Sequence, residues 1–208
     1  MHSFIYLASQ SPRRQELLKQ IQIPFELLIP DLGEDTESLE IPLEHEKARS
    51  YVERVTLAKC ALALDRWKRK GIPWAPILCA DTTVSITCAP HGEILGKPVD
   101  DADAHRMLSM LSGKHHLVLT CVAIFHDAQS APSSFIQISE VEFGELSEQQ
   151  ITSYISSGEP FGKAGAYGIQ GLGSTLIRSI HGSYSGIMGL PLYETNQLLG
   201  KLNVSAHH

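Results

Sequence analysis

The sequence predicts an α/β protein. Three observations carry this: strand-like apolar runs alternate with helical patterns, the first buried run passes through a tight turn into a helix, and two long β-type runs stand side by side with only a short polar connection between them. Taken in order, Phe4-Ile5-Tyr6-Leu7-Ala8 reads as a buried strand. Ser11 follows as an N-cap and Pro12 as the first residue of a helix that buries Leu17, Leu18 and Ile21. A second strand is expected near 25–29, then an acidic loop over 31–40. A long helix spans the interval between Pro42 and Gly71, with Tyr51, Val52, Val55, Ala58 and Leu62 forming one apolar stripe. Glu44 and Glu46 near its start and Lys68, Arg69 and Lys70 near its end suit the helix dipole, and Gly71 supplies the stop.

The apolar run 75–80 is expected to be a strand ending at Asp81, with a further strand over 83–87 and a turn over 89–92. A helix over 102–111 stops at Ser112-Gly113. The two β-type runs, 116–125 and 134–143, predict an antiparallel hairpin joined around 127–132. Ser147 caps a helix through Tyr154 that Gly158-Glu159-Pro160 breaks, and a glycine-rich stretch leads to a strand at 175–180 and a last helix around 191–199. No repeat or low-complexity linker divides the chain, so residues 1–208 read as one domain whose two lobes share a sheet.

With 43% hydrophobic and 19% charged residues, the 208-residue chain has the composition of a folded protein that buries a substantial core. A formal net charge of −6 argues against broad binding to nucleic acid or to an anionic membrane, so cations that meet phosphates should be local. No apolar run approaches the roughly 20 residues of a membrane span, and the N-terminal residues lack a signal-peptide pattern, which makes the cytoplasm the expected location. The four cysteines, Cys60, Cys79, Cys88 and Cys121, lack the close pairing of zinc or redox sites and are expected to be reduced and structural. His115, His116, His181, His207 and His208 show no helical i, i+4 ligand pair, so no histidine metal site is expected.

The strongest chemical signal is Ser9-Gln10-Ser11-Pro12-Arg13-Arg14. Two positive charges at a helix start oppose the dipole unless something negative sits there, while the free N–H groups, two hydroxyls and two guanidiniums suit a phosphate. Asp81-Thr82-Thr83 places a carboxylate and hydroxyls after an apolar strand, where open α/β sheets present catalytic groups. Capping a turn is the structural alternative for the same residues. Lys97 stands between Gly96 and Pro98. The stretch 162–173 holds five glycines without a dinucleotide or P-loop pattern, and its Gln170 offers the donor and acceptor that reading a base edge requires.

The motifs Ser9 to Arg14, Ala80-Asp81-Thr82, Gly96-Lys97-Pro98, Ser112-Gly113 with His116, Lys163 to Gly171, and Gly189-Leu190-Pro191-Leu192 occur in an order that closely resembles the Maf family of nucleoside triphosphate pyrophosphatases. The resemblance implies a mixed twisted α/β sheet in two lobes around a deep central cleft, akin to inosine triphosphate pyrophosphatases and often dimeric, so a homodimer is expected. Thr82 and the run 164–171 resemble the branch acting on dTTP and UTP, including modified uridine nucleotides. The implied reaction is hydrolysis to a nucleoside monophosphate and pyrophosphate with Mg2+ or Mn2+. By the same matching, Asp81 corresponds to the proton acceptor, and Arg13, Thr82 and Gln170 to specificity positions. Ser9 falls in the phosphate-binding motif, and Arg14, Glu34, Lys59 and Lys97 match positions of phosphate, metal or catalytic contacts. Glu34 and Asp81 are the expected metal contacts, with Asp81 as base, ligand or both. The chain departs from the family at Gly162, where an aspartate is usual. The competing reading is a nucleotide-binding regulator of cell division without turnover, which would need the phosphate corner but neither Asp81 nor a metal.

Overall fold

The computed structural model describes residues 2–86 and 93–200. The elements run β1 (Ile5–Leu7), α1 (Pro12–Gln20), β2 (Phe25–Leu27), α2 (Ala48–Lys70), β3 (Ile77–Ile86), β4 (Glu93–Leu95), α3 (Asp101–Leu111), β5 (His115–Phe125), β6 (Ser133–Phe143), α4 (Glu148–Ser156), β7 (Ile177–His181), α5 (Tyr184–Met188) and α6 (Leu192–Gly200). The strands form one mixed sheet in the order β2-β1-β3-β5-β6-β7, with β4 added to β3. β1 is parallel to both β2 and β3, whereas the β3–β5, β5–β6, β6–β7 and β3–β4 pairs are antiparallel. The expected hairpin of two long strands is present as β5–β6, in register from His115 opposite Glu142 to Ile124 opposite Ser133.

Period-2 alternation on β3 divides the core into two faces. Ile77 and Cys79 point to α2, where they pack with Cys60 and Ala63. Leu78, Ala80 and Val84 point the other way, into a larger core shared with Leu17 and Leu18 of α1, Leu108 of α3, Ile151 of α4 and Leu199 of α6. The sheet is therefore covered on both faces, as the buried character of β3 and β5 requires.

Several element expectations are corrected. α2 begins at Ala48, six residues after Pro42, so Glu44 and Glu46 precede the helix and its first turn holds no acid. Glu46 instead forms a two-pronged ion pair with Arg54, at 2.7 Å for each prong. The far end of α2 is as expected: Lys68, Arg69 and Lys70 fill the last turn, and Gly71 caps it with φ +59°. Asp81 does not close a strand. β3 runs through it to Ile86, because Asp81, Thr82 and Thr83 continue the ladder opposite Cys121, Thr120 and Leu119. The expected turn at 89–92 lies outside the described residues, as do Cys88, His207 and His208. The short elements β4 and α5 have too few residues to show a periodic pattern in sequence. Cys60, Cys79 and Cys121 are buried free thiols. No helix among the described residues is long and apolar enough to cross a membrane.

Candidate active site

A break in the pairing of β3 positions the site. On one side β3 pairs continuously with β5 from Ile77 to Ser85. On the other, β1 pairs only with Ile77 and Leu78, and β4 begins only at Val84. Between them the edge of β3 is open, and a cleft of about 510 Å³ occupies the gap. Both faces of the strand reach it, so Asp81, on the α2 side, and Thr82, on the α1 side, line one cavity despite their opposite orientation.

Eight of the nine residues expected at the site, Ser9, Arg13, Arg14, Lys59, Asp81, Thr82, Lys97 and Gln170, line this cleft. Glu34 does not stand among them. It folds against α2, where Arg66 holds it with Nη2–Oε1 at 2.5 Å and Nε–Oε2 at 3.1 Å, and Arg69 reaches Oε2 at 3.1 Å. These hydrogen bonds outweigh burial and keep the Glu34 pKa below the ordinary glutamate value.

The carboxylate that the loop delivers beside Asp81 is Glu40. Lys59 Nζ lies 2.6 Å from Asp81 Oδ1 and 2.7 Å from Glu40 Oε1, and Lys97 Nζ lies 2.7 Å from Glu40 Oε2. Burial disfavours the Lys59 ammonium, yet the two carboxylates hold its pKa above the usual lysine value. Burial likewise opposes the charge on Glu40, and the two lysines more than offset it, so its pKa is lowered. Glu40 ends a single 3₁₀ turn, Ser38–Glu40, that α2 pins in place. The Tyr51 hydroxyl donates to the Glu40 carbonyl at 2.8 Å, and Arg54 donates to the carbonyls of Leu39 and Ile41, each at 3.1 Å.

Sequence reasoning missed Glu40, Tyr51 and Arg54. Five acids between Asp31 and Glu40 compete for the role, and loop spacing does not rank them. A signal existed on α2: Lys59 and Arg66 interrupt the buried stripe that holds Val55, Cys60 and Ala63, and a cation on such a stripe requires a partner. The loop supplies one to each, Glu40 to Lys59 and Glu34 to Arg66.

At the opposite wall, the first turn of α1 contains no acid, and Ser11 adopts the extended N-cap conformation without capping through its own hydroxyl. Ser9 takes part instead, its Oγ accepting from the Ser11 N–H and from Arg14 Nη1, both at 3.2 Å. Arg14 then spans the molecule, donating from Nε to the Gly189 carbonyl at 2.8 Å and from Nη2 to Thr82 Oγ1 at 3.3 Å. Gly189 has φ +112°, and a Cβ there would meet Thr82 Oγ1 at 3.3 Å and Arg14 Nε at 3.5 Å. Thr82 is itself held at 2.9 Å by Thr120, whose hydroxyl donates to the Gly186 carbonyl at 2.7 Å. One guanidinium thus ties α1, β3 and the end of α5 together.

Burial lowers the pKa of Arg13 from the ordinary arginine value, although Glu16 partly opposes the shift. Arg13 makes no ion pair among the described residues, and the nearby Lys163 adds a second positive charge. The N–H groups of Arg13 and Arg14 lie in the first turn, where an α-helix offers them no internal partner. The result is a cleft with cations at one wall and a lysine-bridged carboxylate pair at the other. A polyanion fits the first and a hydrolytic centre the second.

The glycine-rich wall requires its glycines. Gly165 has φ +70°, donates its N–H to the Gly96 carbonyl at 3.0 Å and leaves no room for a Cβ, which would lie 2.9 Å from Val84 Cγ2. Gly162 has φ +73° and open space around a built Cβ, so it lines the cleft without filling it. Gln170 follows on the same wall.

The sequence profile described as Maf-like protein matches residues 4–202. A protein of Ralstonia nicotianae named dTTP/UTP pyrophosphatase is 52% identical over 98% of this chain and 96% of its own length. Proteins of the same name from Albidiferax ferrireducens and Cupriavidus pinatubonensis are 51% and 50% identical, each over 96% of both chains. With that match across the sheet and every wall of the cleft, the chain belongs to the Maf family.

Proposed function

We propose that this protein hydrolyses dTTP and UTP between the α- and β-phosphates, releasing the nucleoside monophosphate and pyrophosphate. Relatives at 50–52% identity over nearly the whole chain carry the name of that activity, which favours an enzyme over a regulator without turnover. The single observation that carries the reading is the shared Lys59, which brings Asp81 and Glu40 together in the cleft that also holds Arg13 and Arg14.

The triphosphate lies against the first turn of α1. Arg13, the first-turn N–H groups and Lys97 neutralise its oxygens, while Arg14, already fixed by Gly189 and Thr82, adds positive charge that needs no reorganisation on binding. Asp81 accepts the proton of the attacking water. Lys59 steadies the resulting charge balance and keeps Asp81 aimed into the cleft. Thr82 and Gln170 flank the nucleoside, with Gln170 offering one donor and one acceptor to the base edge.

The cofactor in this reading is Mg2+ or Mn2+. Among the described residues no group of three or more His, Cys, Asp or Glu side chains is gathered to form a cage. The donor set nevertheless fits: two carboxylates in reach of one ammonium are in reach of one cation, and one or two carboxylates plus substrate phosphates is the set that Mg2+ commonly takes. Asp81 and Glu40 would hold it, while Glu34 is engaged by Arg66 and Arg69. When bound, the cation supplies Lewis-acid stabilisation of phosphate oxygens and a water of lowered pKa. The test is incubation with dTTP, UTP, dCTP and dGTP, with and without Mg2+, followed by product identification. Metal-dependent pyrophosphate from dTTP and UTP is the expected result. Orthophosphate as the primary product, or tight binding without turnover, would refute it.

A further inference from the structure

The segment that carries Gln170 is held from behind by a carboxylate and a phenol that do not belong to the cleft. Glu159 follows Gly158, which leaves α4 with φ +74°, and Tyr154 sits on the last turn of α4 with only 5% of its surface exposed. Glu159 Oε2 accepts the Leu172 N–H at 2.9 Å, and Oε1 accepts the Gly173 N–H at 2.9 Å and the Tyr154 hydroxyl at 2.9 Å. The Tyr154 oxygen in turn accepts the Gly168 N–H at 3.2 Å. Both ends of the short span that contains Gln170 are therefore tied to one side-chain pair.

The glycines of this span show how closely the chain is wrapped. Gly171 has φ +79°, and a Cβ there would lie 2.6 Å from Glu159 Oε2. At Gly173 a Cβ would lie 2.2 Å from the Gly168 carbonyl oxygen and 2.7 Å from the Tyr154 hydroxyl. The backbone is folded onto the carboxylate without an intervening side chain. Burial works against the charge on Glu159, but the N–H groups of Gly173 and Leu172 and the Tyr154 hydroxyl keep its pKa below the ordinary glutamate value. It remains an ionised, acceptor-only anchor at neutral pH.

We propose that Glu159 and Tyr154 are positioning residues for nucleobase selection, fixing through the backbone of Gly168, Leu172 and Gly173 where the Gln170 carboxamide stands. This deepens the preceding section and rests on its reading that Gln170 meets the base. A carboxamide carries a donor and an acceptor that a flip exchanges, so it separates thymine, with an acceptor at C4 and a donor at N3, from cytosine, with the reverse, only if its place against the base is held. Neither Glu159 nor Tyr154 lines the cleft, so they act through Gln170 and not on the phosphates.

The test compares kcat and KM for dTTP and dCTP in wild type, Glu159→Gln, Tyr154→Phe and Gln170→Ala, with circular dichroism and a thermal melt for each. Glu159→Gln keeps the shape but turns an NH2 group toward one of the two backbone donors. Its ratio of kcat/KM for dTTP over dCTP is expected to fall at least 10-fold, mainly through KM for dTTP, with kcat within about 3-fold of wild type because Asp81 and Lys59 are untouched. Tyr154→Phe, which frees the Gly168 N–H and removes the hydroxyl that donates to Glu159 but leaves the Leu172 and Gly173 N–H groups their acceptor, is expected to shift the ratio in the same direction by a smaller factor, and it carries the test if Glu159→Gln does not fold. An unchanged ratio in the folded variants while Gln170→Ala collapses it would overturn the proposal and leave the role of Gln170 standing. An unchanged ratio in Gln170→Ala would refute that role, and the proposal with it.

Discussion

Asp81 and Glu40 bind the same ammonium: Lys59 Nζ stands 2.6 Å from a carboxylate oxygen of the first and 2.7 Å from one of the second. The three side chains come from β3, α2 and the loop between β2 and α2, so the contact joins segments far apart in sequence. With only 18% of the Lys59 side chain and 11% of that of Asp81 exposed, the group is shielded from solvent. Replacing Lys59 by Met leaves Asp81 without its cation and Glu40 with Lys97 alone. We expect a loss of about 3 kcal/mol of stability at neutral pH, read by urea unfolding, and a fall in kcat of about 100-fold, on the order assigned to a positioned catalytic charge.

The two acids of the loop are predicted to separate cleanly. Glu34→Gln removes the charge from a pair in which Arg66 is 2% exposed. It should cost about 3 kcal/mol in denaturant unfolding, with turnover of the remaining folded protein within about 3-fold of wild type, a change of less than 1 kcal/mol in the barrier. Glu40→Gln leaves Lys59 paired with Asp81 and should change stability by less than about 1 kcal/mol. It should lower kcat by about 100-fold if Glu40 contributes to the reacting centre as proposed.

Gly189→Ala tests the anchoring of Arg14. The φ of +112° is one that alanine rarely adopts, and the added Cβ crowds Thr82 Oγ1 and Arg14 Nε. The variant is expected to lose about 1–3 kcal/mol of stability. Its KM for the triphosphate should rise about 10-fold, since a displaced guanidinium changes binding by roughly 1.4 kcal/mol. Steady-state kinetics on the purified variant checks both direction and size.

His116 gives the fold an acid sensitivity. Its side chain is buried, with Nε2 2.8 Å from the Tyr167 hydroxyl, and it packs edge-on against Phe143 and Tyr167. Burial, assisted by His115, pushes its pKa down to about 3. An unfolded histidine titrates near 6.5, so between pH 6.5 and 3 the unfolded state binds more protons and stability rises with pH. Acidification from pH 7 to 5 should therefore remove about 2 kcal/mol from this group alone. Urea midpoints at the two pH values measure it, and His116→Phe should flatten the dependence whatever its absolute stability.

Much of this architecture was legible in the letters. Arg13 and Arg14 stand in the first turn of α1 against the helix dipole, as their place after Ser11-Pro12 implied, and the carbonyl of Gly189 and the hydroxyls of Ser9 and Thr82 supply the local compensation for Arg14. The β5–β6 hairpin followed from two alternating runs around a polar turn. The start of α2 and the end of β3 differ from expectation for a common reason: local propensity marks Glu44, Glu46 and Asp81 as element boundaries. Tertiary pairing gave two of them other roles, Glu46 with Arg54 and Asp81 with Lys59, while Glu44 stays exposed ahead of the helix. Glu40 was hidden because an irregular loop has no period, and only the two cations on the buried stripe of α2 hinted at what the loop must bring.

Whether Asp81 takes the proton of the attacking water is decided by single-turnover release of pyrophosphate from dTTP by wild type and Asp81→Asn, alongside equilibrium binding of dTTP to each. The asparagine keeps the shape of the side chain and removes its capacity to take a proton. The expected rate for Asp81→Asn is at least 1,000-fold lower, about 4 kcal/mol in the barrier, with dTTP affinity within a few-fold of wild type because Arg13, Arg14 and Lys97 still hold the phosphates. Pyrophosphate release by a folded Asp81→Asn variant at a rate near wild type would contradict that role of Asp81.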